Sequence, residues 1–425
     1  MRGPFLAALQ RNSLPHSAVL TPTGETSVDK LCALARAMRS TMEEHEPGRL
    51  VATPDIVEFV KCLLAFDGAC RVIHICPSDA QVHPDWAALA SAQRAGLANQ
   101  EETSWFLATS GTTGTPKLVR HSFETLTANT KPRQQGAPLR RWGMLYEHSR
   151  FAGMQVVLQA LLGGATLCAA PLNDLPAALQ FYKECGVTSL SATPTLWRKI
   201  LMIPSLSLPS LRQITLGGEI ADQSLLDALA NRFSSCTIRH IYASTEAGVG
   251  FSVADGRSGF PASYLESSSQ TGVEIRISEA SHLLIRRVNA SGKSGADALP
   301  SGQQVEFLDT GDIVKRDGDR VYFLGRSSGA INVGGNKVHP EAIEAVLCAH
   351  AGVNAAKVYG LPNSIVGSLV MADVVPSASD PRQLEAELRQ LCAAKLAAWQ
   401  RPVKYKMVQE LPVSSSGKVS RVEAM

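Results

Sequence analysis

The sequence has no uninterrupted apolar run of membrane-spanning length. Its most apolar stretch, Met154 to Leu172, is broken by Gln155, Gln159, the pair Gly163-Gly164 and Pro171. A spanning helix needs about 20 consecutive apolar residues, so this stretch is expected to form a buried helix followed by a strand. After Arg2 only Phe5 to Leu9 are apolar before Gln10 and Arg11. That is too short for a secretory signal, and the expectation is a cytoplasmic protein. An excess of one charge is also missing. Lys plus Arg number 41 and Asp plus Glu 38, a net +3, and neither sign forms a long block. No basic stripe argues for nucleic acid, which leaves a small molecule or another protein as partner. The nine cysteines, from Cys32 to Cys392, contain no CxxC pair and no metal-type spacing. An odd, scattered set fits reduced cytosolic thiols packed in a core better than a disulfide framework.

What is present is an ordinary globular mix: 45% hydrophobic, 19% charged and 6% aromatic residues over a length of 425. That length suggests two or three packed units. Helical spacing of apolar residues occurs around 28–43, 55–66 and 84–95, with short β-rich runs such as Arg71-Val-Ile-His-Ile-Cys76 between them. The alternation recurs over 154–168, 173–198 and 211–242, where helix-like segments lead into Thr188-Ser-Leu-Ser191, Gln213-Ile-Thr-Leu216 and Thr237-Ile-Arg-His-Ile-Tyr242. It predicts layered α/β subdomains with parallel strands. Between about 270 and 325 the pattern changes to short strands, Val273 to Ile277, His282 to Arg286 and Arg320 to Leu324. A small barrel-like or meandering β subdomain is expected there. The polar Ser327-Ser328-Gly329 then precedes a fresh unit of roughly 100 residues. The fold class is therefore α/β, with a large N-terminal domain over 1–326 and a small α+β C-terminal domain over 327–425. Residues 290–302, rich in Ser, Gly and Ala, read as a loop.

One segment carries obvious chemistry. Thr109-Ser-Gly-Thr-Thr-Gly-Thr-Pro-Lys117 directly follows the strand-like Trp105-Phe-Leu-Ala108. Glycines let backbone N–H groups approach phosphate oxygens, and hydroxyls and a lysine add donors. The string does not satisfy GxxxxGK[ST], so an ordinary P-loop ATPase is not supported. Alone it reads equally well as a flexible surface loop.

Further along come Leu216-Gly-Gly-Glu219, His240-Ile-Tyr-Ala-Ser-Thr-Glu-Ala-Gly248, Asp309-Thr-Gly-Asp312 with Gly325-Arg326, Ile331 to Glu344, and Leu411-Pro-Val-Ser-Ser-Ser-Gly-Lys-Val-Ser-Arg421. In this order and at these separations they resemble the signature of the adenylate-forming superfamily, which holds acyl-CoA synthetases, adenylation domains and luciferases. The resemblance covers the chain from about 50 to its end. It implies ATP-dependent conversion of a carboxylic acid to its acyl-adenylate, with pyrophosphate released, and then acyl transfer to the thiol of coenzyme A or of a carrier protein's phosphopantetheine.

The same resemblance implies roles for individual residues. Thr109, Ser110, Gly111, Thr112, Thr113, Gly114 and Lys117 would cradle the phosphates. Gly218, Glu219, Tyr242, Ala243 and Ser244 would flank the adenine, with Tyr242 stacked on it. Thr245 would contact phosphate and Glu246 would hold magnesium, which neutralises the departing pyrophosphate. Asp312 and Arg326 would take the ribose hydroxyls, and Lys418 would neutralise charge between carboxylate and α-phosphate. Phe151, Gly153, Gln155, Thr193, Trp197, Gly217 and Gly248 would line the acyl pocket, and Gly334, Gly335 and Lys337 the thiol tunnel. A flat or modest acyl group is implied; aryl, short fatty and amino acids remain open, as do coenzyme A against a carrier protein and monomer against homodimer. His148 and Arg150 could meet a polar substituent or pair with Glu147 at the surface. Three departures stand out. Ala243 replaces the usual glycine, Ser328 stands at the hinge where aspartate or lysine is usual, and the phosphate loop begins early, as if part of the first subdomain were trimmed. Two other readings stay open: a non-catalytic binding relative, and an adenylating enzyme that uses a non-thiol acceptor or a non-carboxylate substrate.

Overall fold

A computed structural model describes residues 3–13, 17–42, 47–77, 102–109, 117–134, 136–266, 273–287, 306–363, 366–377, 380–414 and 417–420. The helix expected over 84–95, the loop over 290–302 and residues 110–116 of the glycine-rich loop lie outside them. The chain divides into two compact units. The first comprises Met1–Ser191, Ser205–Ile214 and Ser244–Gly248, and the second Ala192–Pro204, Thr215–Ala243 and Val249–Met425. The boundary expected after residue 326 falls inside the second unit.

The first unit holds two sets of largely parallel strands. In one, Arg49–Val51, Val72–Ile75 and Ser104–Thr109 run parallel and Lys117–His121 joins antiparallel. In the other, Ala18–Thr21, Thr166–Ala169, Arg141–Met144 and Ser189–Ala192 are parallel neighbours in that order. Val72–Ile75, Thr166–Ala169 and Ser189–Ala192 are buried at every position. Parallel strands covered on both faces read as continuous apolar runs for this reason. Helix starts follow side-chain caps. Ser27 accepts from the Lys30 N–H, Asp55 from Glu58 and Asp174 from Ala177. The helix over 28–43 stops at Arg39, and that over 55–66 is Ile56–Phe66.

In the second unit, Val273–Ile277, His282–Arg287, Leu308–Asp317 and Arg320–Arg326 form an antiparallel meander completed by Phe260–Pro261. Its core is Phe251, Phe260, Ile275, Leu283, Ile285 and Val321. Arg320, only 1% exposed, is held by the Asp255 carboxylate and by the carbonyls of Arg257, Ser258 and Gly259. A second sheet pairs Ile331–Val333, Asn336–Val338, Val353–Asn363, Gly367–Pro376 and Lys404–Met407. The helices Pro340–Cys348 and Pro381–Lys395 contribute Ile343, Leu347, Leu384 and Leu388 to its core. No helix of the described residues is long and apolar enough to cross a membrane.

Candidate functional site

Five sequence segments of the second unit meet around one cavity of about 400 Å³. Its walls include Gly218 and Glu219 after the strand Gln213–Gly217, and His240, Tyr242 and Ala243 on the strand Thr237–Ser244. Asp312 and Arg326 come from the meander, and Lys418 from a turn closed by the Val413–Val419 bridge. Tyr242 stacks with Phe251 at 5.2 Å and with Phe323 at 5.3 Å. Its hydroxyl donates to Asp312 Oδ2 at 2.5 Å, and Arg326 Nε donates to Asp312 Oδ1 at 3.1 Å. Burial, and then the neighbouring Asp312 carboxylate, push the Tyr242 phenol above its ordinary range. It therefore stays a donor to Asp312, which lines the cavity. His240 rests against the Arg257 carbonyl at 3.1 Å, and burial pulls its pKa down, so it is neutral near pH 7.

Lys418 sits on a turn in which Val413 bridges Val419 and the Ser414 N–H donates to the Lys418 carbonyl at 2.8 Å. Gly218, at φ +85°, faces it closely. A Cβ there would lie 3.1 Å from Lys418 Cε and 3.6 Å from Nζ. Only glycine adopts that backbone cheaply and leaves room for the lysine stem.

Sequence reading missed part of the cavity wall. Arg198, on the helix Pro194–Leu201, pairs with Asp222, the N-cap of the helix Gln223–Arg232, and donates to the Asn354 carbonyl at 3.4 Å. Burial works against the Arg198 charge, but Cys348 and Asp222 outweigh it and leave the arginine pKa raised. Cys348, also on the wall, is pushed up to about 11 by burial. Phe251 and Phe323 carry no motif, since aromatics on strands are usually core.

Thr193, 1% exposed, caps the helix Pro194–Leu201 by accepting from the Leu196 N–H at 3.1 Å. Trp197 is fully buried, its indole donating to the Thr215 carbonyl at 3.0 Å. Gly334 and Gly335 take positive φ, 57° and 85°, in the hairpin that carries exposed Lys337. In the first unit, Thr109 pairs in register with Lys117, so the two ends of the glycine-rich segment stand side by side. Phe151 stacks on His121, Gln155 donates to the Leu126 carbonyl at 2.8 Å, and a Cβ at Gly153 would come within 2.1 Å of the Glu147 carbonyl. His148 bonds the Thr53 carbonyl at 2.7 Å, and Arg150 pairs with Glu147. Ser244 accepts from the Ala247 N–H at 2.9 Å, and Glu246 is exposed. No group of three metal-ligating side chains gathers among the described residues.

The family model for AMP-binding enzymes matches residues 32–284, and that for the AMP-binding enzyme C-terminal domain matches 342–418. A 2-succinylbenzoate–CoA ligase of Bacillus pumilus is 28% identical, over 75% of this chain and 68% of that protein. The human mitochondrial acyl-coenzyme A synthetase ACSM2B is 25% identical, over 76% of this chain and 61% of that protein. The chain thus spans about two thirds of these relatives' length. Among solved structures, a benzoate CoA ligase from Burkholderia xenovorans LB400 superposes with a TM-score of 0.76 over 98% of both chains at 20% identity, a likeness of fold.

Proposed function

The chain belongs to the AMP-binding enzyme family, and on that footing we propose that it is an AMP-forming acid–thiol ligase of the acyl-CoA synthetase kind. ATP and a carboxylic acid give an acyl-adenylate and pyrophosphate; the acyl group then passes to the thiol of coenzyme A, with a carrier protein's phosphopantetheine as the other candidate acceptor. The observation that supports this most is the convergence of Gly218, Tyr242, Asp312, Arg326 and Lys418 on one cavity. Asp312, already an acceptor for Tyr242 and Arg326, has further lone pairs for ribose hydroxyls. Lys418 brings a mobile cation to the α-phosphate and the incoming carboxylate, where charge develops.

The chain needs no nucleophile of its own. The acid's oxygen forms the bond to the α-phosphorus, and the bond to pyrophosphate breaks. In the second step the thiolate forms the thioester and AMP leaves. Thr109 to Lys117 cradle the β- and γ-phosphates, with Thr245 beside them. Magnesium held by Glu246 would supply charge neutralisation for the departing pyrophosphate. Phe151, Gly153, Gln155, Thr193, Trp197, Gly217 and Gly248 border the acyl group. Gly334, Gly335 and Lys337 border the thiol arm, and residues 327–329 are the hinge about which the C-terminal domain turns between steps.

Replacing Lys418 with Ala tests the reading. Acid-dependent ATP–pyrophosphate exchange, screened over aromatic and short aliphatic acids, is expected to fall by about 100-fold or more. Retained exchange, or release of orthophosphate from ATP in place of pyrophosphate, would refute it.

A further inference from the structure

The two neighbours of Lys418 are each tied down by a side chain from a distant segment. On one side, Val419 N–H donates to Glu219 Oε1 at 3.1 Å. The same carboxylate accepts from the Thr195 hydroxyl and from the Thr195 N–H, both at 2.9 Å. On the other side, the Thr193 hydroxyl donates to the Gly417 carbonyl while still accepting from the Leu196 N–H. Glu219 lines the cavity, and its carboxylate accepts from three donors of the chain itself.

We infer that Glu219 and Thr193 form a clamp that positions Lys418, setting where its ammonium lies during adenylation and letting it go afterwards. The clamp rests on the reading of Lys418 given above, but its geometry stands apart from it. Four features support it. First, both contacts fall on backbone atoms of residues 417 and 419, so they fix the path of the chain through residue 418, which lines the cavity. Second, the two grips come from segments 224 and 200 residues away in the chain, so they are tertiary contacts and not part of the turn's own folding. Third, the grip is anchored. Thr193 is 1% exposed and caps a helix, while Glu219 is braced twice by Thr195. Fourth, one carboxylate takes all three donors, so the three bonds are lost together if it is removed. Neither residue touches the reacting atoms, and both are positioning residues.

The clamp predicts a division between half-reactions that a merely structural role would not produce. Glu219→Ala and Thr193→Val in the full-length protein are expected to slow ATP–pyrophosphate exchange by about tenfold or more. Conversion of a supplied benzoyl-adenylate with coenzyme A is expected to fall by less than exchange does, so that the ratio of the two rates shifts. Thr193→Ser, which keeps the hydroxyl, is expected to restore exchange. Amide hydrogen exchange of the 417–420 segment supplies a reading free of activity. Val419 N–H should exchange about tenfold faster or more in Glu219→Ala than in the parent protein, at matched melting temperature. Unchanged exchange at Val419, or equal loss in both half-reactions with the serine variant no better than valine, would overturn the clamp. Accelerated amide exchange in a protein that exchanges no pyrophosphate with any acid would leave the clamp standing and refute the proposed activity.

Discussion

Replacement of Gly218 by alanine separates a backbone effect from a catalytic one. Its φ of +85° lies in the left-handed region, where a side chain costs about 1–2 kcal/mol. The new methyl would also stand 3.1 Å from Lys418 Cε. That contact is with the far part of a flexible side chain, which relieves it by moving a few tenths of an ångström, so the backbone cost decides the stability change. At about 2–4 °C per kcal/mol for a unit of this size, the melting temperature should fall by about 2–8 °C. The small shift of the lysine matters more for turnover, because misplacing a catalytic group by about 1 Å can cost about 100-fold. Pyrophosphate exchange measured in a double-variant cycle with Lys418→Ala separates the two effects. If Gly218 acts through the lysine, its replacement costs exchange in the parent background and nothing further once Lys418 is gone. Equal losses in both backgrounds would refute the reasoning.

A pH dependence follows from Asp67, whose carboxylate accepts the Phe5 N–H at 2.8 Å and is fully buried. Burial raises its pKa from 3.8 to about 6, so the protonated form's stabilisation is complete below about pH 4 and is lost as the pH rises through about 6. Asp67→Asn removes that titration. Between pH 4 and pH 7 its stability relative to the parent should rise by about 2 kcal/mol, read from urea midpoints at several pH values; a difference that does not vary with pH would disprove the assignment. Arg320→Met strips donors from the carbonyls of Arg257, Ser258 and Gly259 and from Asp255. A loss of about 3 kcal/mol is expected by thermal melting, and a loss under about 1 kcal/mol would show that water replaces the guanidinium there.

Much of the architecture was legible because its periodicities are local. Apolar spacing over 55–66 became the helix Ile56–Phe66, and the short runs from 273 to 324 became the antiparallel meander. The pairing of Asp312 with Arg326 was legible too, because a turn and a returning strand carry both. They come opposite each other in the register of Leu308–Asp317 against Arg320–Arg326. The Arg198–Asp222 pair was not, since a helix-borne arginine and an N-cap aspartate are ordinary surface chemistry until packing buries them. Nor was the attachment of Glu219 to Val419, because 200 residues separate them in the chain and neither motif encodes the other.

This last contact bears on how a lysine can serve one step and withdraw for the next. A lysine locked by a buried ion pair would be placed well and released poorly, because breaking such a pair costs about 3–5 kcal/mol. One held only by its own flexible turn would be released easily and placed badly. Hydrogen bonds from Glu219 and Thr193 to its neighbours' backbone, each worth about 1–3 kcal/mol, lie between these limits. They act on the backbone on either side of the lysine and so orient the turn. The balance has a measurable consequence. Strengthening the grip should favour adenylation at the expense of thioester formation, and loosening it should do the reverse, so the ratio of the two rates, rather than either alone, reports the strength of the hold.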